Sequence, residues 1–174
     1  MNESTDAETA DAATQPRGKG SAGADSGTEY VPSPSERVRD QVARYEATGG
    51  VEGGELGGLP VIILTTTGAR SGKTRKNPVM RVEQDGVYAA IASYAGGPEN
   101  PRWYYNLLAH PYATVQDGPA IRRVRAREVF DEEKEGWWAV ADALNPNYAR
   151  YRSSAGRDIP ILALEPAEWA DEVG

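Results

Sequence analysis

Apolar residues first recur in the chain at helical spacing. These residues are Val38, Val42 and Tyr45, which share one side of the expected helix. A capping box formed by Ser33 and Glu36, with a proline between them, predicts that the helix begins at Ser33, and a glycine pair ends it, so we expect it over 33–48. Charged residues flank its apolar side, so the helix could lie on the rest of the domain, on a second subunit or weakly on a membrane surface. Packing on the domain is the favoured interpretation.

After this helix, the pattern of apolar and polar residues alternates between that of strands and that of short helices. Strands are expected over residues 61–67, 78–83, 87–93, 113–116, 121–129 and 159–164. Further helices are expected over residues 102–109 and 131–144, and around Tyr148 and Tyr151. Asp131 is the expected cap of the helix over 131–144, and Trp137, Ala141 and Leu144 share its apolar face. Two Asp-Gly steps predict hairpins, so the order indicates an α+β fold, a small barrel of antiparallel strands with flanking helices.

Length and composition fit one domain with a separate tail. The chain has 174 residues, of which 39% are apolar, which is enough for a single core and too little for two. Residues 1–32 contain almost no large apolar side chains, so we expect a disordered acidic tail there. The folded domain is expected over 33–168, and a frayed end over 169–174.

The net charge of −7 is concentrated near the start of the chain. Residues 1–36 hold seven acidic and two basic side chains, whereas residues 37–174 hold nineteen and seventeen. A near-neutral domain argues against a nucleic-acid partner, which needs a dominant basic face. The absence of cysteine excludes disulfides and thiolate chemistry, and the longest aliphatic run, 61–64, is too short to span a membrane. We therefore expect a cytoplasmic protein without an integral membrane segment.

A cationic segment follows the first predicted strand. Residues 68–76 have the sequence GARSGKTRK, with four basic side chains and two glycines. Glycine lets backbone amides approach a ligand, and Arg70, Arg75 and Lys76 can form charge-assisted bonds to phosphate or carboxylate oxygens. A solvated turn explains the charges equally well. A nucleotide-triphosphate loop is disfavoured, because it needs a glycine at position 67, where this chain has threonine, and a helix where we expect a strand.

Two aromatic segments offer contacts of another kind. Ser93 and a Gly-Gly step precede Trp103 and Tyr104, which could cradle a planar ring or could simply pack a helix onto the barrel. Tyr148 and Tyr151 are three residues apart on a short helix and share one side of it. A phenol there could donate a proton to a substrate oxygen, although packing at an interface is an equally good interpretation.

Four segments together resemble one known family. They are LTTTGARSGKTRKNPVMRVEQDG, ASYAGG, NPRWYYNLLAHP and NYARY. In order and spacing they are similar to the deazaflavin-dependent nitroreductase family, which uses reduced coenzyme F420, and the similarity covers residues 36–166. The resemblance implies a split β-barrel of the FMN-binding, pyridoxamine-phosphate-oxidase-like kind. It also implies an enzyme that transfers a hydride from reduced F420 to a small acceptor such as a quinone, a nitroaromatic compound or an activated alkene.

The same resemblance implies a set of site residues. The cofactor would contact Ala69, Arg70, Ser71, Arg75, Lys76, Asn77, Pro78, Val79, Met80, Ile91, Ala92, Ser93, Tyr94, Arg102, Trp103, Tyr104, Tyr105, Asn106 and Tyr148. Ser93 and Tyr148 would orient or protonate the acceptor, with Tyr151 in the wall beside them. Tyr94 departs from the family pattern, in which we expect a smaller side chain, and would narrow the pocket.

The residues and the resemblance agree on what the protein has to supply. Hydride chemistry belongs to the cofactor, so the protein needs no metal and no nucleophile, only binding, orientation and a weak proton donor. Two alternatives remain open at this point. One is a non-catalytic protein that stores or carries F420, and the other is a flavin reductase that depends on FMN.

Overall fold

A curled sheet of eight strands forms most of the computed structural model, which describes residues 29–168. The strands are β1 (Glu55–Leu56), β2 (Leu59–Thr67), β3 (Thr74–Met80), β4 (Glu83–Gln84), β5 (Val87–Ile91), β6 (Tyr112–Asp117), β7 (Ala120–Glu128) and β8 (Ile161–Pro166). The helices are α1 (Glu36–Thr48), α2 (Arg102–Ala109), α3 (Asp131–Leu144) and α4 (Asn147–Ala155). The strand pairs are antiparallel in the order β1-β2-β6-β7-β8-β5-β4, and β3 pairs with β2. The predicted α+β barrel of antiparallel strands with flanking helices is confirmed.

Strand β2 lies at the centre of the core because both of its faces are covered. Ile62 and Leu64 belong to the main core, together with residues of α2. Val61 and Ile63 alternate with them and therefore lie on the opposite face, where α1 covers them. This double burial explains why the segment is aliphatic without interruption.

Helix α1 packs on the sheet, which confirms the favoured interpretation of its apolar side. Val42 and Tyr45 lie against Val61 and Ile63. The Tyr45 hydroxyl donates to the Val61 carbonyl at 3.2 Å and accepts from the Gly118 N–H at 2.7 Å. The helix is thus held by a polar anchor as well as by apolar contacts.

The predicted capping box of this helix is wrong. The helix begins at Glu36, and its cap is Ser35, whose Oγ accepts from the Val38 N–H at 3.3 Å. Ser33 cannot serve as the cap because its Oγ accepts from the Ser35 N–H at 3.1 Å and forms a turn ahead of the helix. The helix therefore begins three residues later than predicted.

The third strand also differs from its predicted position. We expected a strand over 78–83 paired with 87–93, but β3 pairs with β2 along its whole length. The turn over residues 68–73 closes this hairpin, and the Gly68 N–H donates to the Lys73 carbonyl at 2.7 Å. The hairpin expected across the Asp-Gly step is reduced to β4 and the start of β5. The last three residues of the cationic segment, 74–76, are therefore strand and not loop.

Helix α3 departs from the prediction at both ends. Phe130 occupies the cap position without a side-chain bond, and Asp131 already belongs to the first turn, with a φ of 52°. Trp137 and Ala141 are buried as expected, but Leu144 is 47% exposed. Leu144 is the last residue of the helix and lines an open cavity instead of the core.

The described chain begins four residues before the expected start of the domain. The Thr74 N–H donates to the Glu29 carbonyl, and the Val31 N–H donates to the Thr74 carbonyl, both at 2.9 Å. Residues 29–32, which we assigned to the tail, therefore belong to the fold. The rest of the predicted tail, 1–28, and the predicted frayed end, 169–174, lie outside the described residues. Between residues 29 and 168, no helix is both long and apolar enough to cross a membrane.

Candidate active site

The turn between β2 and β3 has several hydrogen-bond donors without a partner in the described part of the chain. The Gly72 N–H donates to the Gly68 carbonyl at 3.0 Å, and Gly72 has a φ of 71°, which favours glycine. The backbone N–H groups of Arg70 and Ser71 make no hydrogen bond within residues 29–168. The Arg70 side chain is exposed and has no ion pair there. Two amides and a guanidinium close together suit an anionic ligand such as a phosphate.

Asn106 of α2 fixes this turn against the core. Its Oδ1 accepts from the Ala69 N–H at 2.9 Å, and its Nδ2 donates to Thr66 Oγ1 at 3.1 Å. Asn106 is 8% exposed, and both ends of its amide bond within the protein. The structure therefore brings the predicted cationic and aromatic segments together, with Asn106 as the link between them.

The basic side chains of the cationic segment do not form one patch. Arg75 pairs in register with Thr66 and lies on that face of the hairpin, whereas Lys76 lies on the opposite face, towards α1. Lys76 Nζ is 2.7 Å from a Glu46 carboxylate oxygen. Arg75 donates to a backbone carbonyl at 3.4 Å. The sequence could not separate these two neighbours, because it predicted a loop here and side chains alternate between two faces only in a strand.

A second basic side chain of the segment also has a partner within the fold. Lys73 Nζ lies 3.0 Å from Glu29 Oε1, which comes from the N-terminal segment beside β3. Both side chains of this ion pair are about half exposed, so the pair contributes little to stability. Arg70 is therefore the cation of this segment with the fewest competing bonds in the described part of the chain.

Trp103 and Tyr104 belong to the main core and not to an open platform. Trp103 is 7% exposed and Tyr104 is 8% exposed, and the Tyr104 hydroxyl donates to Glu128 at 2.8 Å. Burial, followed by this bond to Glu128, raises the pKa of Tyr104 to about 12. The packing interpretation of these two aromatic residues is confirmed. Arg102 and Tyr105, on the outer side of the same helix, are exposed.

The segment after β5 carries a buried serine and a strained backbone. Ser93 is 8% exposed, and its hydroxyl makes no hydrogen bond within the described chain. Tyr94 and Ala95 both have left-handed φ values, 51° and 54°, which are uncommon for residues other than glycine. Tyr94 is 62% exposed. Such outliers occur where the surrounding structure holds the backbone, often at functional sites.

This segment packs directly on helix α4. A Cβ at Gly96 would lie 2.7 Å from Ser154 Oγ and 3.3 Å from the Tyr151 Cα. Glycine is therefore required for the close approach of the segment to the helix. The structure thus brings the segment of Ser93 together with the helix of Tyr148 and Tyr151.

Tyr148 is buried in α4 with no internal partner for its hydroxyl. It is 2% exposed, and its ring makes edge contacts with Trp138 and Tyr151 at centroid distances of 6.0 and 5.9 Å. No hydrogen bond to its hydroxyl occurs in residues 29–168. No fully enclosed side-chain oxygen there lacks a partner, so this hydroxyl borders open space. Burial raises the pKa of Tyr148 well above its usual value.

A small cavity lies beside Tyr148. The residues around it are Leu59, Pro60, Met80, Arg81, Val82, Leu144, Asn145 and Tyr148. Met80 is the last residue of β3, so this cavity and the turn over 68–73 lie at opposite ends of the β2–β3 hairpin. The seven residues of β3 span about 20 Å. An elongated ligand with an anionic arm fits this arrangement better than a compact one.

Arg157 contacts the candidate site, although the sequence did not point to this residue. It follows α4, and its guanidinium donates to several acceptors in the segment that carries Ser93. In the sequence it is only an arginine after a glycine that ends a helix, a common surface pattern. Its role depends on a segment about sixty positions earlier, which no local pattern indicates.

The chain is similar to proteins described as F420H(2)-dependent quinone reductases. A family model described as F420H(2)-dependent quinone reductase matches residues 37–166. An F420H(2)-dependent quinone reductase of Mycobacterium tuberculosis is 32% identical over 132 residues, which cover 74% of this chain and 87% of that protein. A putative F420H(2)-dependent quinone reductase of the same organism is 29% identical over 108 residues, or 62% of this chain and 91% of that protein.

Two solved structures are similar to this chain. One is described as an F420-H2 dependent reductase (FDR-A) and is 46% identical, with a TM-score of 0.58 over 61% of this chain and 94% of that one. The other, described as a domain-swapped dimer, is 42% identical, with a TM-score of 0.60 over 76% of this chain and all of that one. The resemblance to F420-using reductases that the sequence motifs indicated is confirmed. The chain therefore belongs to the F420H(2)-dependent quinone reductase family.

Proposed function

We propose that the protein is an enzyme that uses reduced F420 to reduce a small organic acceptor, with a quinone as the first substrate class to consider. Its family membership supports this function. The observation that carries the proposal is Tyr148, whose side chain is buried and lines a small cavity and whose hydroxyl has no partner in the described chain. This hydroxyl is not fully enclosed, so a bound ligand can replace water as its hydrogen-bond partner.

The turn over residues 68–73 is the best support for binding the anionic arm of the cofactor. The free amides of Arg70 and Ser71 and the Arg70 guanidinium would hold phosphate oxygens, and Arg75 would add a second guanidinium from β3. Asn106 holds the turn in position through Ala69. Lys76, which lies on the other face with Glu46, would take no direct part.

Ser93 and Tyr148 would act on the acceptor. The bound cofactor supplies the hydride, so these residues need only orient the acceptor and hold a proton near the oxygen that becomes protonated. Because burial raises the pKa of Tyr148, its hydroxyl remains protonated at neutral pH and can donate a hydrogen bond. Tyr151, in edge contact with Tyr148, would form part of the wall beside it.

Binding and turnover measurements test this function. We expect F420 to quench the fluorescence of the four tryptophans at lower concentration than FMN does. We also expect the protein to oxidise reduced F420 anaerobically in the presence of menadione, a soluble naphthoquinone. A nitroaromatic compound and an activated alkene should be tested alongside it to rank the acceptor classes.

Two negative results would each favour a different alternative function. Tight binding of FMN without a response to F420 would instead indicate a flavin reductase. Binding of F420 with no oxidation by any acceptor would indicate a protein that stores or carries the cofactor.

A further inference from the structure

One arginine joins the segment that carries Ser93 to the helix that carries Tyr148. Arg157 comes directly after Gly156, the residue that ends α4. Its guanidinium donates to the carbonyls of Ala92 at 3.1 Å, Ser93 at 3.3 Å, Gly97 at 3.1 Å and Glu99 at 3.0 Å, and to Asn100 Oδ1. These five acceptors all belong to the connection between β5 and α2.

The acceptors of Arg157 stand on both sides of a strained pair of residues. Ala92 and Ser93 precede Tyr94 and Ala95, whose φ values of 51° and 54° lie in the left-handed region, and the remaining acceptors follow them. A backbone in this conformation persists only where the surroundings hold it. The planar fork of a guanidinium can bond acceptors on two sides at once, and no other side chain makes this many bonds to the segment in the described chain.

We propose that Arg157 is a positioning residue for the reduction, which fixes the Ser93 hydroxyl relative to the Tyr148 hydroxyl. This inference rests on the proposed function. Arg157 holds the carbonyl of Ser93 itself, and it leaves α4 within two residues of the helix end. Gly96 packs against α4 at Tyr151 and Ser154, and the bonds of Arg157 hold the same segment beside the end of this helix.

The replacement Arg157→Lys tests the role of the fork without removing the charge. A lysine ammonium donates from a single point and cannot bond acceptors on both sides of the strained pair. In the full-length protein we expect kcat/KM for menadione to fall about tenfold, because small displacements of reacting groups are costly. The matched control is Arg44→Lys in α1, where the arginine is exposed and makes no side-chain bond in residues 29–168, and it should change nothing.

A double-mutant cycle distinguishes positioning from a general structural role. If Arg157 acts through Ser93, then Ser93→Ala should lower kcat/KM in the wild-type background but have little further effect in Arg157→Lys. Independent, multiplying losses would overturn the proposal, as would an unchanged kcat/KM in folded Arg157→Lys. Should Arg157→Lys fail to fold, Asn100→Ala removes one acceptor of the guanidinium, and the same cycle with Ser93→Ala should again give less than the product of the two losses.

Activity measurements on the wild-type protein distinguish a failure of the proposed role of Arg157 from a failure of the proposed function. A wild-type protein that does not oxidise reduced F420 with any acceptor overturns the proposed function and the role of Arg157 with it. An active wild-type protein with a multiplicative cycle overturns the role of Arg157 alone.

Discussion

At the scale of single residues, Tyr148 differs from the other buried tyrosines. Each of the others donates its hydroxyl to a partner inside the protein, to a carbonyl or to a carboxylate. These bonded phenols are those of Tyr45, Tyr88 and Tyr104. The sequence predicted that Tyr148 and Tyr151 share a helix side, but it left open whether they pack or react. Only the absence of an internal partner for Tyr148 in the described chain favours a reactive role.

Replacing Tyr148 with phenylalanine should lower kcat without destabilising the fold. We expect a decrease of roughly 10- to 100-fold in kcat with menadione, because the proton donor is lost. The free energy of unfolding should change little, since no internal hydrogen bond disappears. Steady-state kinetics together with urea unfolding check both parts.

Tyr88→Phe is the matched control for this replacement. Tyr88 is buried to the same degree but donates to Asp117 at 2.6 Å. Its loss should therefore cost about 1.5 to 3 kcal/mol of unfolding free energy and leave kcat unchanged. An unaltered kcat in Tyr148→Phe would remove Tyr148 from the reaction.

At the scale of elements, the sequence predicted most helices and strands but not their partners. The helix over 102–109 and the strands near 61–67, 113–116, 121–129 and 159–164 are confirmed as α2, β2, β6, β7 and β8. Strand β3 was misplaced because two charged residues, Arg75 and Lys76, stand near its start and its proline suggested a strand start. Both features are compatible with β3, which among the strands of residues 29–168 pairs only with β2, because an edge strand tolerates proline and charge.

The alternation of side chains along β3 predicts opposite results for two adjacent replacements. Arg75→Ala should weaken F420 binding by about 1.5 to 3 kcal/mol, because a charge-assisted bond is lost. Lys76→Ala should leave F420 binding unchanged and lower the unfolding free energy by at most about 1 kcal/mol, because it removes a partly exposed ion pair with Glu46. Fluorescence titration of both variants checks this. Equal losses of affinity for F420 would show that both side chains contact the cofactor, although they lie on opposite faces of β3.

At the scale of the whole molecule, the sequence indicated the fold class and the family but not how the charges are arranged. The cationic segment looked like one site because four basic residues stand together in the chain. In the fold, Lys73 and Lys76 bond to Glu29 and Glu46, which are 44 and 30 positions away. Partners so distant leave no local signal, so sequence reasoning overestimated how many cations are available to a ligand.

Tyr104 links the burial of the main core to the pH dependence of stability. Burial, followed by its bond to Glu128, raises the pKa of Tyr104 from 10 to about 12, whereas in the unfolded chain it stays near 10. The unfolded state therefore loses this proton first as the pH rises. The stability that Tyr104 contributes is complete below pH 10 and is lost progressively between pH 10 and 12.

Other groups, such as lysines, also lose protons at high pH. Comparing the wild-type protein with Tyr104→Phe isolates the contribution of Tyr104 to the pH dependence of stability. The difference in unfolding free energy between the wild-type protein and the variant should be constant below pH 10 and should shift in favour of the variant above it. Urea unfolding at pH 8, 9 and 11 measures this difference. A difference that stays constant up to pH 11 would mean that the Tyr104 phenol does not remain protonated in the folded protein. In that case neither the bond to Glu128 nor burial in the main core would raise its pKa.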